Sequence, residues 1–446
     1  MQIIPFGSDT ETILHIFSAN NKIIECLPTI PRHKNTKKLL GIIYDDIQES
    51  CGFVSSSKKK LGTAFHNTHA YAIHSESKIP KPNRLSMSSI PPNIYRYIKD
   101  HSRYVFHFST RVGIRTINVY FVTNHTEAAI HVDTYAQYFE RMMIWFHIAF
   151  KYSSISCGTN IGIYIYDTPL LKTLPEHRSD IVSMAHVNTA YTYSCPMSTR
   201  PVRSTRTSSS KKESEIIIYR SEEWFKVFIH ETFHMMGLDF SGMPNLEAAR
   251  NVVRNTFPIQ SNMDIFEAYT ETWATIMNAC FCSQFCLEKV NKSSFVNNVE
   301  IFLGFESAWR IFQMHKIVRF MGLKYSDLYN KSQKAMIARE NLYRENTNIF
   351  SYYVVTAILL VNYGNFLEWC STHNGIGGNM SFHKTESNTI SFARFIVDSH
   401  LDSCSHSNIR DIGSNKCFNA ILSANGLPDD AKWVSETMRM TVCEMC

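Results

Sequence analysis

Two histidines four residues apart, His230 and His234, enclose Glu231 in the string IHETFHMM. On a helix, residues i and i+4 lie about 40° apart around the axis and one turn apart along it, so both imidazoles can reach one ion. Glu231 then stands beside that ion, placed to hold a bound water and take its proton. Zinc brings such a water to a pKa of about 7, which makes hydroxide available at neutral pH. Thr232 is the only other polar residue between Val227 and Met236. A purely structural role would leave Glu231 buried among apolar neighbours without a partner, at a cost of several kcal/mol.

Catalytic zinc takes three protein ligands, so a third must come from elsewhere. The segment DIFEAYTETW places Glu267 and Glu271 at i and i+4, on one face of a helix whose other side carries Ile265, Phe266, Tyr269, Trp273 and Ile276. One carboxylate can bind the metal while the other orients a ligand histidine through its second ring nitrogen. Glu267, Glu271 and Asp239 are the candidates for the third ligand. Asp239 suits equally an acceptor behind a ligand histidine or a helix-end cap.

HExxH with a downstream ExxxE helix followed by an aromatic residue resembles the gluzincin metallopeptidases, and EAYTETW is similar to the glutamate helix of the anthrax lethal factor type. That resemblance implies Glu267 as ligand and Glu271 just outside the ligand sphere. It also implies a zincin-like core, in which a polar edge strand, here Val187 to Tyr193 with Asn188, Ala190 and Thr192, pairs with the substrate backbone. IHETFHMMGLDF also resembles metallopeptidases assigned to large DNA viruses. HMMGLDF begins like the metzincin motif HExxHxxGxxH with Gly237 in register, but the third metzincin position is Phe240, which cannot coordinate. Oxyanion stabilisation would fall to a Tyr, His or Arg of the C-terminal half, among which Tyr352, Tyr353 and His315 are candidates.

The elements that must position these residues are legible in part. Ile114–Thr123 and Ile161–Tyr166 have the β-branched and aromatic content of strands, as does Glu215–Tyr219 directly before the HExxH helix. His186–Tyr193 reads as a weaker, more polar strand. Tyr135–Tyr152 repeats Phe139, Met142, Met143, Phe146 and Phe150 at helical spacing. Ser221 is a candidate N-cap of the HExxH helix, with Glu222 and Glu223 at its positive end, and Gly237 a candidate stop. Ser198–Ser214, rich in Ser, Thr, Arg and Lys, and Ser55–Lys60 read as basic loops. Beyond 245 the chain reads as mainly helical. The expected fold is α+β, with an N-terminal region over 1–100, a zincin-like subdomain over 101–243 and a helical C-terminal subdomain over 244–446 that supplies the third ligand.

With 446 residues, 44% hydrophobic, 19% charged and a formal charge of +6, the chain has ordinary globular composition and no specific call for nucleic acid. No apolar run reaches the 18 residues a membrane span needs; the longest, around Tyr352–Tyr363, contains Thr356 and Asn362. MQIIPFGSDTETILHIF shows no basic segment followed by an apolar one. Twelve cysteines in that setting predict reduced thiols and an intracellular, cytoplasmic location, which for a viral protein means host cytoplasm or virion. Cys280, Cys282 and Cys286 read as buried core thiols, and Cys443–Cys446 as a frayed tail. The sequence thus predicts a zinc-dependent metallopeptidase, one Zn2+ per chain, acting on a peptide or protein substrate with Glu231 as general base. The alternative is a non-catalytic zinc-binding structural or virion protein that keeps the fold.

Overall fold

A computed structural model describes residues 3–18, 34–125, 128–195, 213–288, 290–375, 380–423 and 428–446. The chain is mixed α/β, with one six-stranded mixed sheet and a helical C-terminal region. By contacts it divides into two compact units, one of residues 45–171 and 188–243, the other of residues 1–44, 172–187 and 244–446. The N-terminal hundred residues are therefore shared between the two.

The first unit is built on the sheet. Its strands are β1 (Asn67–Ala72), β2 (Tyr104–Val112), β3 (Arg115–Thr123), β4 (Asn160–Tyr166), β5 (Ala190–Thr192) and β6 (Glu213–Ile218), in spatial order β1-β2-β3-β4-β6-β5. β3, β4 and β6 run parallel, while β1, β2 and the edge strand β5 are antiparallel to their neighbours. β1 (NTHAYA) is polar, whereas β2 (YVFHFSTRV) has the aromatic and β-branched content of a strand; neither is among the strands expected from the sequence.

Alternation decides what covers each face. Phe106, Phe108 and Phe121 meet Tyr135 and Phe139 of the helix Ala128–Tyr152, and Phe121 also meets Trp224. Val105, Val122, Tyr164, Tyr166, Ile217 and Tyr219 pack on the other side, against Ile79, Leu85, Ile90, Ile94 and Ile98. Buried Glu215 fixes that second cover: its carboxylate accepts the backbone N–H groups of Asn83, Arg84 and Leu85 at 2.7, 2.8 and 3.0 Å. The Pro-rich segment is thereby held on the sheet by one charge-assisted cluster.

Several local expectations are corrected. Ser55–Lys60 is not a loop but the last turns of the helix Lys34–Leu61, where Lys58, Lys59 and Lys60 sit at the negative end of the helix dipole. His186 and Val187 lie in a short helix, Met184–Val187, because the His186 ring accepts the Ser183 N–H at 3.0 Å and closes a turn. The edge strand is accordingly shorter than expected. Ser198–Ser214 falls outside the described residues up to 212, and its last residues begin β6.

Cys157 and Cys195 form a disulfide, with Cα atoms 5.9 Å apart, and Cys417 is also disulfide-bonded, so the expectation of reduced thiols fails at these positions. Folding brings Cys157 and Cys195 within bridging distance across 38 residues, which spacing alone does not reveal. Cys280, Cys282 and Cys286 are free and buried, as expected.

The second unit is helical, with Tyr269, Phe366, Phe382 and Phe392 in one aromatic cluster. Its C-terminus is not frayed. Fully buried Glu306 accepts the Val442 and Cys443 N–H groups at 3.0 and 2.9 Å and the Thr441 hydroxyl at 2.6 Å. Arg439, fully buried, pairs with Asp9 at 2.9 Å and Glu444 at 2.6 Å. Among the described residues no single helix is long and apolar enough to cross a membrane.

Selective reduction of Cys157–Cys195, or Cys157→Ser, should lower unfolding stability by about 2–4 kcal/mol, the usual value for a bridge closing a loop of this order. Chemical denaturation of oxidised and reduced protein, followed by intrinsic fluorescence, measures it; coincident curves would exclude a structural bridge.

Candidate metal centre

The motif helix spans Trp224–Met236, and every residue in it is buried. β6 delivers the chain to it, and Phe228 and Phe233 lock it against Phe146 and Trp145 of the helix Ala128–Tyr152. Ser221 is not the N-cap. Its hydroxyl donates to Asp167 and, at 2.9 Å, to the Thr168 carbonyl, joining the end of β4 to the helix entrance. The residue before the helix is Glu223, at φ 59°, a left-handed conformation that costs a non-glycine residue about 1–3 kcal/mol.

Gly237 ends the helix as expected, at φ 62°. Its N–H returns to the His234 carbonyl at 3.0 Å and that of Leu238 to the Phe233 carbonyl at 2.8 Å. This left-handed turn, which suits glycine, folds the chain back beneath the helix. Asp239 then meets His234 Nδ1 at 2.5 Å and is itself held by the Ser241 hydroxyl at 2.9 Å. With Nδ1–H given to the carboxylate, the neutral ring presents its Nε2 lone pair. Among the roles open to Asp239, the acceptor behind a histidine is the one seen.

His234 Nε2 lies 3.1 Å from His230 Nε2. Two imidazole nitrogens sharing a tetrahedral zinc at 2.0–2.1 Å would be about 3.3–3.4 Å apart, so the observed pair is set for one small cation. His230, His234 and Glu267 each offer a ligand atom, and these atoms all lie within 4.8 Å of one another. The histidines are buried and Glu267 is half-buried. Two neutral nitrogens with one carboxylate oxygen form a donor set that fits zinc.

Glu267 lies in the first turn of the helix Ile265–Phe285, and the Asn348 amide approaches its carboxylate at 3.4 Å. Glu271, one turn on, receives Nη2 of the fully buried Arg310 at 2.9 Å. Arg310 also donates to the Tyr352 carbonyl at 2.8 Å, tying the glutamate helix to the π-helical turn Phe350–Val355. Sequence reasoning missed Arg310 because its partners stand 39 and 42 positions away. Phe240 is fully buried core.

The remaining expected residues fall as follows. Ala190 and Thr192 lie on the edge strand β5, where the Thr192 hydroxyl donates to the Glu215 carbonyl at 2.5 Å. Asn188 precedes β5, and its carbonyl accepts Arg220 Nε at 3.1 Å. Just past β5, the Cys195 N–H donates to the His234 carbonyl at 3.0 Å and Ser194 receives the Ser241 hydroxyl at 2.7 Å. Tyr353 is committed elsewhere, its phenol donating to the Met438 carbonyl at 2.7 Å. So is His315, which bonds the Ile409 carbonyl at 2.9 Å and whose pKa burial pushes down to about 4.

Comparison with family models, with curated proteins and with solved structures found no match.

Purified protein should carry about one zinc per chain by elemental analysis, and His234→Ala none. Asp239→Ala, which leaves His230, His234 and Glu267 in place, should weaken zinc affinity about 10–100-fold in a chelator competition. Wild-type affinity in Asp239→Ala would show that the aspartate does not orient the ligand.

Proposed function

We propose that this chain is a zinc-dependent metallopeptidase of gluzincin type, with a zincin-like core and His230, His234 and Glu267 as metal ligands. The single observation that carries the reading is the convergence of two histidine Nε2 atoms at 3.1 Å, one of them fixed by Asp239, with the Glu267 carboxylate completing the group. A zinc ion bound by these residues supplies Lewis acidity, polarising a peptide carbonyl and making water acidic enough to lose a proton near neutral pH.

The chain's own residues account for the rest. Glu231 follows His230 directly on a helix with no exposed residue. Its carboxylate is the base that takes a proton from the attacking water and returns it to the leaving amine. Glu271, held by Arg310, stabilises the helix that presents Glu267. β5 is at the end of the sheet, and among the described strands none pairs with its outer edge. An extended peptide would bind there by adding a strand, receiving main-chain hydrogen bonds along Ala190–Thr192. Glu231 is the feature that favours catalysis over metal binding alone, since retaining zinc does not require that carboxylate.

Glu231→Gln should keep the wild-type zinc content while cleavage of an unstructured polypeptide such as casein falls about 10²–10⁴-fold. Zinc-loaded wild type that leaves casein and a random peptide library intact would remove the peptidase reading and leave a zinc-binding protein.

A further inference from the structure

The long helix Lys292–Phe320 carries Arg310 near its middle and Arg319 at its end. After it, Gly322, at φ 81°, turns the chain into the 3₁₀ turn Tyr325–Leu328. Opposite stand the helix Ser403–Ile412 and the turn that follows it. Between them lies a cavity of about 710 Å³, a size that accepts a small-molecule ligand.

Its lining is chemically one-sided. Arg319, Lys324 and Arg410 contribute to it, with His315, Tyr329 and His406, but among the described residues no Asp or Glu does. Asp327 accepts the Lys324 backbone N–H at 2.8 Å, and Asp411, outside the lining, accepts the Ser407 hydroxyl at 3.1 Å and pairs with Nε of the exposed Arg410 at 3.5 Å.

Arg319 is half-buried, and its bonds go to the neutral oxygens of Gly413 and Asn415, at 2.7 and 3.3 Å. Its guanidinium lies 4.0 Å from the Phe418 ring centre. Among the described residues no carboxylate pairs with Arg319 or Lys324, and burial lowers the Arg319 pKa without a compensating charge.

The two sides of the cavity are tied together. His315 donates to the Ile409 carbonyl, and a Cβ on Gly413 would fall 2.1 Å from the His315 ring, so only glycine fits there. A cation partly withdrawn from water, facing a preformed cavity with no anion of its own, is an unfinished ion pair. Planar guanidinium and ammonium donors beside the Ser326, Ser414 and Tyr329 hydroxyls match the oxygens of a multiply charged tetrahedral anion.

We propose that the cavity between the end of the helix Lys292–Phe320 and the helix Ser403–Ile412 is a binding site for a small phosphate-bearing molecule, gripped by Arg319, Lys324 and Arg410. The site is independent of the metal centre and of the peptidase reading. Titration calorimetry of the full chain with inorganic pyrophosphate, ATP and adenosine tests it. Pyrophosphate and ATP should both bind and adenosine should not, with affinity falling as salt is raised. The double variant Lys324→Ala/Arg410→Ala, which alters only exposed side chains, should weaken pyrophosphate binding at least about tenfold, as should Arg319→Met. Tighter binding of ATP than of pyrophosphate would identify a nucleotide-type ligand, and equal binding one recognised by phosphate alone. Failure of both to bind wild type at about 1 mM, or equal binding to wild type and the double variant, would overturn the proposal.

Discussion

Two imidazole nitrogens 3.1 Å apart inside a helix with no exposed residue impose a condition that much of the surrounding structure serves. Neutral lone pairs this close repel unless a proton or a cation lies between them, and their rings hold position only if each is braced from behind. Asp239 braces His234, and it can do so only because Gly237 adopts a left-handed turn that returns the chain under the helix. The short run from His234 to Ser241 is thus one unit, in which a backbone conformation fixes a carboxylate and the carboxylate fixes a tautomer. Helix packing supplies the remaining constraint, with Phe233 stacked on Trp145, Phe228 edge-to-face with Phe146, and β6 leading in behind.

Buried charge recurs as the device by which this chain ties distant segments together. Glu215 gathers three backbone N–H groups of the Pro-rich segment, Glu306 gathers those of the C-terminal tail, and Arg310 bridges Glu271 to the Tyr352 carbonyl. Each makes more than one hydrogen bond, which offsets the cost of burying an ion. Loss of one partner would strand a charge, so these positions resist substitution more than the apolar core around them. Arg319 is the contrast. It has hydrogen bonds but, among the described residues, no counter-charge, and it lines a cavity.

Sequence by itself determined the elements whose residues announce a period or a punctuation. β3, β4 and β6 are β-branched runs, the helix Ala128–Tyr152 has a 3.6-residue apolar repeat, and Gly237 stops the motif helix. His230 and His234 were legible as a pair because i,i+4 spacing is local geometry, and Glu267 as one of two carboxylates a turn apart on an apolar helix. Asp239 was visible only as one of several roles, since its function depends on where a turn sends it.

What tertiary structure alone decided are contacts between positions far apart in the chain. The Cys157–Cys195 bridge, the Glu306 cradle for a tail that reads as loose, and the Arg310–Glu271 pair each join residues whose spacing carries no period. Polar β1 forms a strand because it pairs along its whole length with β2, whose Tyr, Val, Phe and Thr residues favour extension and whose Phe106 and Phe108 are buried. Ser221 lost its capping role to Asp167, and His186 its strand to a side-chain bond with Ser183. Local preference in such segments is worth about 1 kcal/mol, and one well-placed tertiary hydrogen bond or buried ring outweighs it.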